Sequence, residues 1–433
     1  FATFKVGVLN LSVYVFYNCT QLRTLSIPVD CNVLSAVYYH KDYTLPVSAL
    51  NRREVLYDGC ERYSDYYGDG CIHCKNRGLT DTNTVKYSLS AVLSNCTNYT
   101  YNKNVFTNVF STKDTSTQNK QLNRLILTKG LASNGTVGSS SSTKKFKGNF
   151  VYTQVDSDSN LKGLIPWMQN ENFEMLTVEP GVVVIPNRMF SDAKGLINIV
   201  MPCNLKPRGD SFANCYGVSN VTITTGLDLY GNYVTDCYDY ERAANLSDEE
   251  TSYDDSPWYN ARYVEKVTLG EEYKRKSVNF TICEGVTSLG NRMFDTATTT
   301  GRYSIGDIEI ASTVISMDTS TFLDTYFGVY DENGFVRGSD IIIPSELDFT
   351  ILDPKTLEFS SSPYIKKDGT HLGKIRSLHI IKSTNGNKTL NYSTLNYDKL
   401  PWNCFDSVYT VTFANDLEYI PAYYFYKSKL SGD

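Results

Sequence analysis

Phe212 to Ile223 reads FANCYGVSNVTI, and it can be laid without a gap over Phe16 to Ile27, FYNCTQLRTLSI. Phe, Asn, Cys and three aliphatic positions coincide. Upstream of Phe16 lies GVLNLSVYVF (Gly7 to Phe16), and the same frame recurs as GVVVIPNRMF (Gly181 to Phe190) and GVTSLGNRMF (Gly285 to Phe294). Looser copies end at Phe106 (NKNVF), Phe322 (MDTSTF), Leu357 (LDPKTL) and Phe425 (IPAYYF), and several close on an aliphatic-x-aliphatic-Pro string such as Ser26-Ile27-Pro28 or Val200-Met201-Pro202. From Phe190 to Phe212 is 22 residues, the length of one supersecondary unit in a repeat array.

The physical chemistry of one unit explains why it must repeat. In LRTLSIP, Leu25 and Ile27 alternate with Thr24 and Ser26, the period-two signature of a short strand with one buried face. Such a strand cannot bury itself. Stacked on Ile197 to Met201 (INIVM) and Asn220 to Thr224 (NVTIT), it is expected to form a parallel ladder, with Phe16, Phe190, Phe212 and Phe294 inside successive coils. The Gly before Val supplies a tight bend, and Pro after Ile stops the strand by withholding a ladder donor. Cys19 and Cys215 fall where the chain turns inward and are expected to be small buried thiols.

At these residues the sequence resembles the BspA-like class of leucine-rich repeat, whose pattern of about 23 residues reads roughly GVTSIG..AF..C..L.SV.IP. The resemblance is specific around Phe16, Phe190, Phe212 and Phe294, moderate near Phe425, and weak near Thr235 and Leu357. It implies an α/β repeat solenoid of short parallel strands with irregular or short helical arcs. It also implies surface adhesins of host-associated bacteria and protists, binding matrix or other cells. The spacing departs from that family: Phe16 to Phe106 is 90 residues and Phe212 to Phe294 is 82, where an uninterrupted array would place three or four units. Large insertions or eroded repeats fill those gaps. Residues 1–30 then form one unit, 31–96 a cysteine-rich insertion or eroded repeats, and 97–235 repeats with a Ser/Gly-rich loop at 133–149. Residues 236–262 form an acidic, Tyr-rich insertion, and 263–433 further repeats. Phe4 to Val8 and Ala422 to Leu430 read as part-units, so the array is expected to continue beyond the sequence.

Composition narrows the function. The 433 residues carry 41 Lys+Arg against 47 Asp+Glu, a net charge of −6, which argues against nucleic-acid binding. Apolar runs such as Gly181 to Ile185 are far shorter than the roughly 18 residues of a membrane span. Eleven cysteines and sequons at Asn10, Asn18, Asn95, Asn98, Asn134, Asn220, Asn245, Asn279, Asn387 and Asn391 suit a secreted or surface glycoprotein.

No constellation reads as catalytic. Cys71-Ile-His73-Cys74 with Cys60 offers a C-x-x-C pair, but the second pair of a zinc ribbon is missing, so disulfides among Cys31, Cys60, Cys71, Cys74 and Cys96 are expected instead of metal. DSDSN at Asp156 to Asn160 starts like a calcium loop, but the sixth and twelfth positions are Leu161 and Trp167. Arg208-Gly209-Asp210 lies two residues before Phe212, on a packed arc instead of a protruding tip. No nucleophile elbow, zincin helix or phosphate loop occurs, and His371 and His379 flank an apparent strand.

The expectation is therefore a non-enzymatic extracellular or cell-surface binding protein without cofactor or metal. Its partners would be a protein or glycan on another cell or matrix. The alternative is a structural subunit that assembles with copies of itself into a filament or coat. Strand positions Thr24, Ser26, Asn198, Val200, Asn220, Thr222 and Thr224 are short and mostly polar. Tyr63, Tyr66, Tyr67, Tyr238, Tyr240, Tyr253, Trp258 and Tyr259 crowd the insertions at 57–75 and 236–262, where recognition is expected.

Overall fold

The computed structural model describes residues 1–5, 16, 19, 21–29, 39–40, 99–100, 122–130, 167, 172–185, 189–190, 193–207, 212, 215, 217–228, 230–237, 277–290, 293–294, 304–318, 321–322, 326–331, 334–348, 373–392, 402, 405, 407–426 and 428–431. Its spine is a twelve-stranded sheet. In spatial order the strands are Ala2–Thr3, Thr24–Pro28, Arg124–Thr128, Met175–Val178, Asn198–Pro202, Asn220–Thr224, Ser277–Ile282, Ser304–Ile310, Ser339–Pro344, Lys374–Ile381 and Ser407–Phe413, with Tyr326–Phe327 also beside Ser304–Ile310. Every pairing is parallel, and spatial order follows sequence order. Among the described residues there is no α-helix, and the described parts of the arcs are mostly turns. This is the repeat solenoid the strand pattern calls for.

Alternation sets which face is buried. Leu25 and Ile27, Leu125 and Leu127, Ile199 and Met201, and Val221 and Ile223 are buried, while their neighbours Thr24, Arg124, Asn198 and Asn220 face out. Between the rungs run ring stacks. Phe190 lies 5.6 Å from Phe212 and 6.5 Å from Phe173, near-parallel to both, and Phe294 stacks on Phe322 at 4.8 Å. Phe16 is buried as well and meets Phe4 edge-on at 6.0 Å. Gly181 and Gly285, which open the Gly-Val frames, have φ of 94° and 95°, the left-handed conformation a side chain disfavours.

Register shows which rungs are neighbours. Asn220 pairs directly with Asn279, and Thr24 with Arg124, so neighbouring rungs are 59 and 100 residues apart in sequence and nothing stands between them. One rung is itself interrupted: Tyr326–Phe327 and Ser339–Pro344 both lie along Ser304–Ile310, and the antiparallel hairpin Val329–Asp331/Gly334–Arg337 grows out between them. On the arc side a second, short ladder links Asp236, Ser288, Ser316 and Asp348. Asp236 and Cys237, the head of the acidic stretch, thus belong to a coil.

Two core assignments differ from expectation. Cys19 is exposed, because only its backbone makes the turn, through hydrogen bonds with Phe16 and Leu22. At the other end Tyr424 is the buried ring, and Phe425 packs against the core half-exposed. Phe106 and Leu357 lie outside the described residues.

Candidate functional site

Side chains at one register position form a continuous polar row along the outward face of the ladder. The Asn220 amide donates to Asn198 Oδ1 at 3.0 Å, and the Asn279 amide donates to Asn220 Oδ1 at 3.2 Å. The Asp307 backbone N–H then donates to Asn279 Oδ1 at 2.9 Å. From there the row becomes ionic. Arg337, at the foot of the 329–337 hairpin, holds Asp307 with both guanidinium nitrogens at 2.9 and 2.7 Å, and the Asp340 N–H adds a third donor at 2.8 Å. Arg376 in turn grips the Asp340 carboxylate with two nitrogens. Burial, the largest single influence on the Asp307 carboxyl, works to raise its pKa. The Arg337 hydrogen bond, the Asp340 amide and the two guanidinium charges outweigh burial and hold the carboxyl below its ordinary value.

Such a row satisfies itself, so it fixes register more than it invites a ligand. The strand positions near its start are short and polar, as the sequence suggests. Toward the last rungs Arg376 and Tyr409 stand exposed, larger groups that a reading confined to the first strands misses.

Two rigid hairpins rise from the scaffold and carry a different chemistry. Gly226–Leu227 pairs with Tyr233–Val234. Its tip is an Asp-capped turn: Asp228 accepts from the backbone N–H of Tyr230 and of Asn232 at 2.8 Å each and from the Asn232 amide at 2.9 Å. Those donors, the Asn232 side chain first, lower the Asp228 pKa. The turn leaves Tyr230 90% and Tyr233 80% exposed. The 329–337 hairpin leaves Phe335 and Val336 half-exposed, with the Lys374 ammonium 5.4 Å from the Phe335 ring centre. Aromatic side chains held in water on a pre-ordered backbone are the groups that make contact area at low entropic cost. Tyr230 and Tyr233 fall outside the segments the sequence singles out, though LDLYGNY, with Asp, Gly and Asn clustered between aliphatic runs, carries the turn signal that locates them.

Tyr63, Tyr66, Tyr67, Tyr238, Tyr240, Tyr253, Trp258 and Tyr259 lie outside the described residues, as do Cys31, Cys60, Cys71, Cys74 and Cys96, the Arg208–Asp210 string and His371. The same is true of Asn10, Asn18, Asn95, Asn98, Asn134 and Asn245. The sequon residues Asn220, Asn279, Asn387 and Asn391 are all exposed. The first two are committed to the row above. Asn387 sits in an Asx turn, with Oδ1 accepting from the Thr389 N–H at 2.9 Å and from its hydroxyl at 2.6 Å. His379 shares a 2.8 Å hydrogen bond with the Thr412 hydroxyl on the outward face. Cys215 is buried and donates its S–H to the Phe190 carbonyl at 2.9 Å. Trp167, buried against Phe173 and Phe190, donates its indole N–H to the Met189 carbonyl at 2.5 Å. Among the described residues no group of three His, Cys, Asp or Glu side chains is arranged to hold a metal, and no helix is long and apolar enough to cross a membrane.

Residues 167–277 match the family described as BspA type leucine rich repeat region, in six copies. The matched segment contains the rungs Met175–Val178, Asn198–Pro202 and Asn220–Thr224 and the Tyr230/Tyr233 hairpin. No curated protein and no solved structure matches the chain.

Proposed function

We propose that this chain, which carries a BspA type leucine-rich repeat region at residues 167–277, works by binding at a cell surface or outside the cell and not by catalysis. Its repeats serve as a stiff rack, and the segments that leave the ladder make the contacts. The observation that carries this reading is the unbroken register from Asn220 to Asn279 beside a hairpin whose two tyrosines stand in water. Loops on a rigid scaffold are where binding residues concentrate. The partner is a protein or glycan of another cell or of a matrix. The test is adhesion of immobilised chain to cell monolayers and matrix coatings, comparing wild type with Tyr230→Ala/Tyr233→Ala and with 238–276 replaced by a Gly-Ser linker. Loss of adhesion in either variant with an unchanged circular dichroism spectrum is the expected result. Full adhesion by both, with loss on Arg376→Ala/Tyr409→Ala, would transfer the site to the sheet face.

A second reading is a filament or coat subunit, in which the chain's 33 tyrosines would supply contacts between copies. Light scattering and negative-stain microscopy of the purified chain separate the two: concentration-dependent fibres support assembly, and a monodisperse monomer refutes it.

A further inference from the structure

Cys203 follows directly on the rung Asn198–Pro202, and Cys237 lies 34 residues later, just after the Tyr230/Tyr233 hairpin has returned to the scaffold. Both are buried. Their placement is fixed from several sides. The Cys203 N–H donates to the Thr224 carbonyl at 2.7 Å, and the Cys237 N–H to the Ser288 carbonyl at 3.1 Å, so each cysteine is tied to a different rung. The Cys203 thiol points at the returning leg of the hairpin, 3.4 Å from the Val234 carbonyl and 3.6 Å from that of Asp236. The other leg is held by the next residue: the Asn204 amide donates to the Leu227 carbonyl at 3.0 Å. Backbone and side chain approach so closely there that a Cβ on Gly226 would overlap the Asn204 amide. The Asp236 carbonyl that the Cys203 thiol reaches belongs to the residue before Cys237, so the two cysteines, both free thiols here, are neighbours in space. The Cys237 side chain is the largest influence on the Cys203 thiol and lowers its pKa, whereas burial first, then Cys203, raises that of Cys237.

We infer that Cys203 and Cys237 are the two ends of a disulfide that clamps the root of the Tyr230/Tyr233 hairpin to the ladder. Thiol–disulfide exchange with a carrier disulfide, of the glutathione or dithiol-oxidoreductase class, supplies the chemistry. As the chain folds, before both thiols are buried, the Cys203 thiolate attacks one carrier sulfur, forming a mixed disulfide and expelling a carrier thiolate, which takes the Cys203 proton. Cys237 then gives up its proton and attacks the Cys203 sulfur, forming the protein disulfide and releasing the second carrier sulfur as a thiol. Two protein thiols and one carrier disulfide become one protein disulfide and two carrier thiols. Oxidation would hold the hairpin in the pose it has here, and reduction would leave it on hydrogen bonds alone. The bond stands on this geometry; its consequence for partner binding rests on the function proposed above.

The test uses the full chain equilibrated in a glutathione redox buffer, alkylated under denaturing conditions and digested without reductant. A Cys203–Cys237 linked peptide as the major form of both residues is expected. Both recovered as alkylated free thiols, or each linked to another cysteine, would overturn the assignment. Hydrogen exchange gives a second readout that needs no variant to fold. Amides between 226 and 237 should exchange at least about tenfold faster after reduction, and in Cys203→Ser/Cys237→Ser reduction should change nothing there. Equal exchange of oxidised and reduced wild type would also overturn the clamp. Adhesion unaffected by reduction, with the linked peptide present, would refute the binding role of the hairpin and leave the disulfide standing.

Discussion

Replacing Phe190 by Ala removes the ring on which three other rings rest. Phe190 is fully buried, with Phe212 and Phe173 stacked on its two faces at 5.6 and 6.5 Å and Trp167 tilted against it at 5.6 Å. Truncating a buried Phe costs about 3–5 kcal/mol through lost transfer free energy and the cavity left behind. Here the upper half of that range applies, about 4–5 kcal/mol, because two stacked pairs are lost and each adds roughly 0.5–1.5 kcal/mol beyond its area. Collapse is also hindered. The Phe190 carbonyl is held by the Cys215 thiol and the Met189 carbonyl by the Trp167 indole, so the backbone cannot close on the void. With a urea slope of about 2 kcal/mol/M the midpoint should fall by about 2 M. Phe190→Leu keeps most of the volume and should cost about 1–2 kcal/mol. Equilibrium urea unfolding followed by far-UV circular dichroism and tryptophan fluorescence measures both. A midpoint shift below about 0.5 M for Phe190→Ala would refute the interior stack.

The ionic end of the outward row should show itself in pH dependence. The Asp307 carboxyl is held below its unfolded value, so its stabilising effect is present at neutral pH and lost as pH falls through the folded value. The stability gap between wild type and Asp307→Asn, expected to be about 1 kcal/mol at pH 7 for a half-exposed pair, should close on acidification toward pH 3. A gap independent of pH would remove the charge from the explanation. Glu418, half-exposed between Lys382 at 2.5 Å and Lys388 at 2.7 Å, has its carboxyl pulled down to about 2 by those two hydrogen-bonded ammonium groups. Carboxyl NMR titration should return it to the ordinary range in Lys382→Met/Lys388→Met, and no movement would contradict the pairing. Gly285→Ala should destabilise by about 1–2 kcal/mol, since φ of 95° is strained for any side chain and the new Cβ would meet Thr225 Cγ2 at 2.9 Å. A neutral result in urea unfolding would contradict the bend. Asn220→Ala leaves its partners Asn198 and Asn279 open to water, so its cost should stay below about 1 kcal/mol, measured the same way.

What could be read from the sequence follows from which interactions leave a periodic trace. Phe16, Phe190 and Phe294 recur in a frame with Gly-Val, and Phe212 and Phe322 in looser copies of it, because each coil must present the same atoms to the next. Phe173 and Trp167 extend the same stack but lack a Gly-Val frame, and only the alternating Met175–Val178 strand beside Phe173 hints at them. The rungs Thr24–Pro28 and Arg124–Thr128 are alike in pattern, yet spacing alone does not reveal that they are neighbours, since a loop of any length costs little more to close than a shorter one. The single bridge at Asp236 and the two-residue strands Ser288–Leu289 and Ser316–Met317 are too short to alternate. Arg337 and Asp307, like Cys203 and Cys237, meet because the ladder brings together residues 30 and 34 positions apart, and no local signal marks either pair. Tyr230 and Tyr233 do carry a local signal, a turn defined by Asp, Gly and Asn, although the tyrosines that follow at 238–259 are denser in the sequence.

The central claim is that neighbouring rungs stay paired across long excursions of the chain, and the rung Asn220–Thr224 tests it most directly because its two neighbours lie 22 and 59 residues away. Thr222→Pro removes a ladder donor at the middle of that strand. Hydrogen exchange with mass spectrometry on wild type and variant then reads every rung at once. Loss of protection should appear at 198–202 and at 277–282 together, while 374–381, several coils away, stays protected because each coil contacts only its neighbours. Protection at 277–282 unchanged by Thr222→Pro, with 198–202 released, would mean that these two rungs are not adjacent, and would contradict the account.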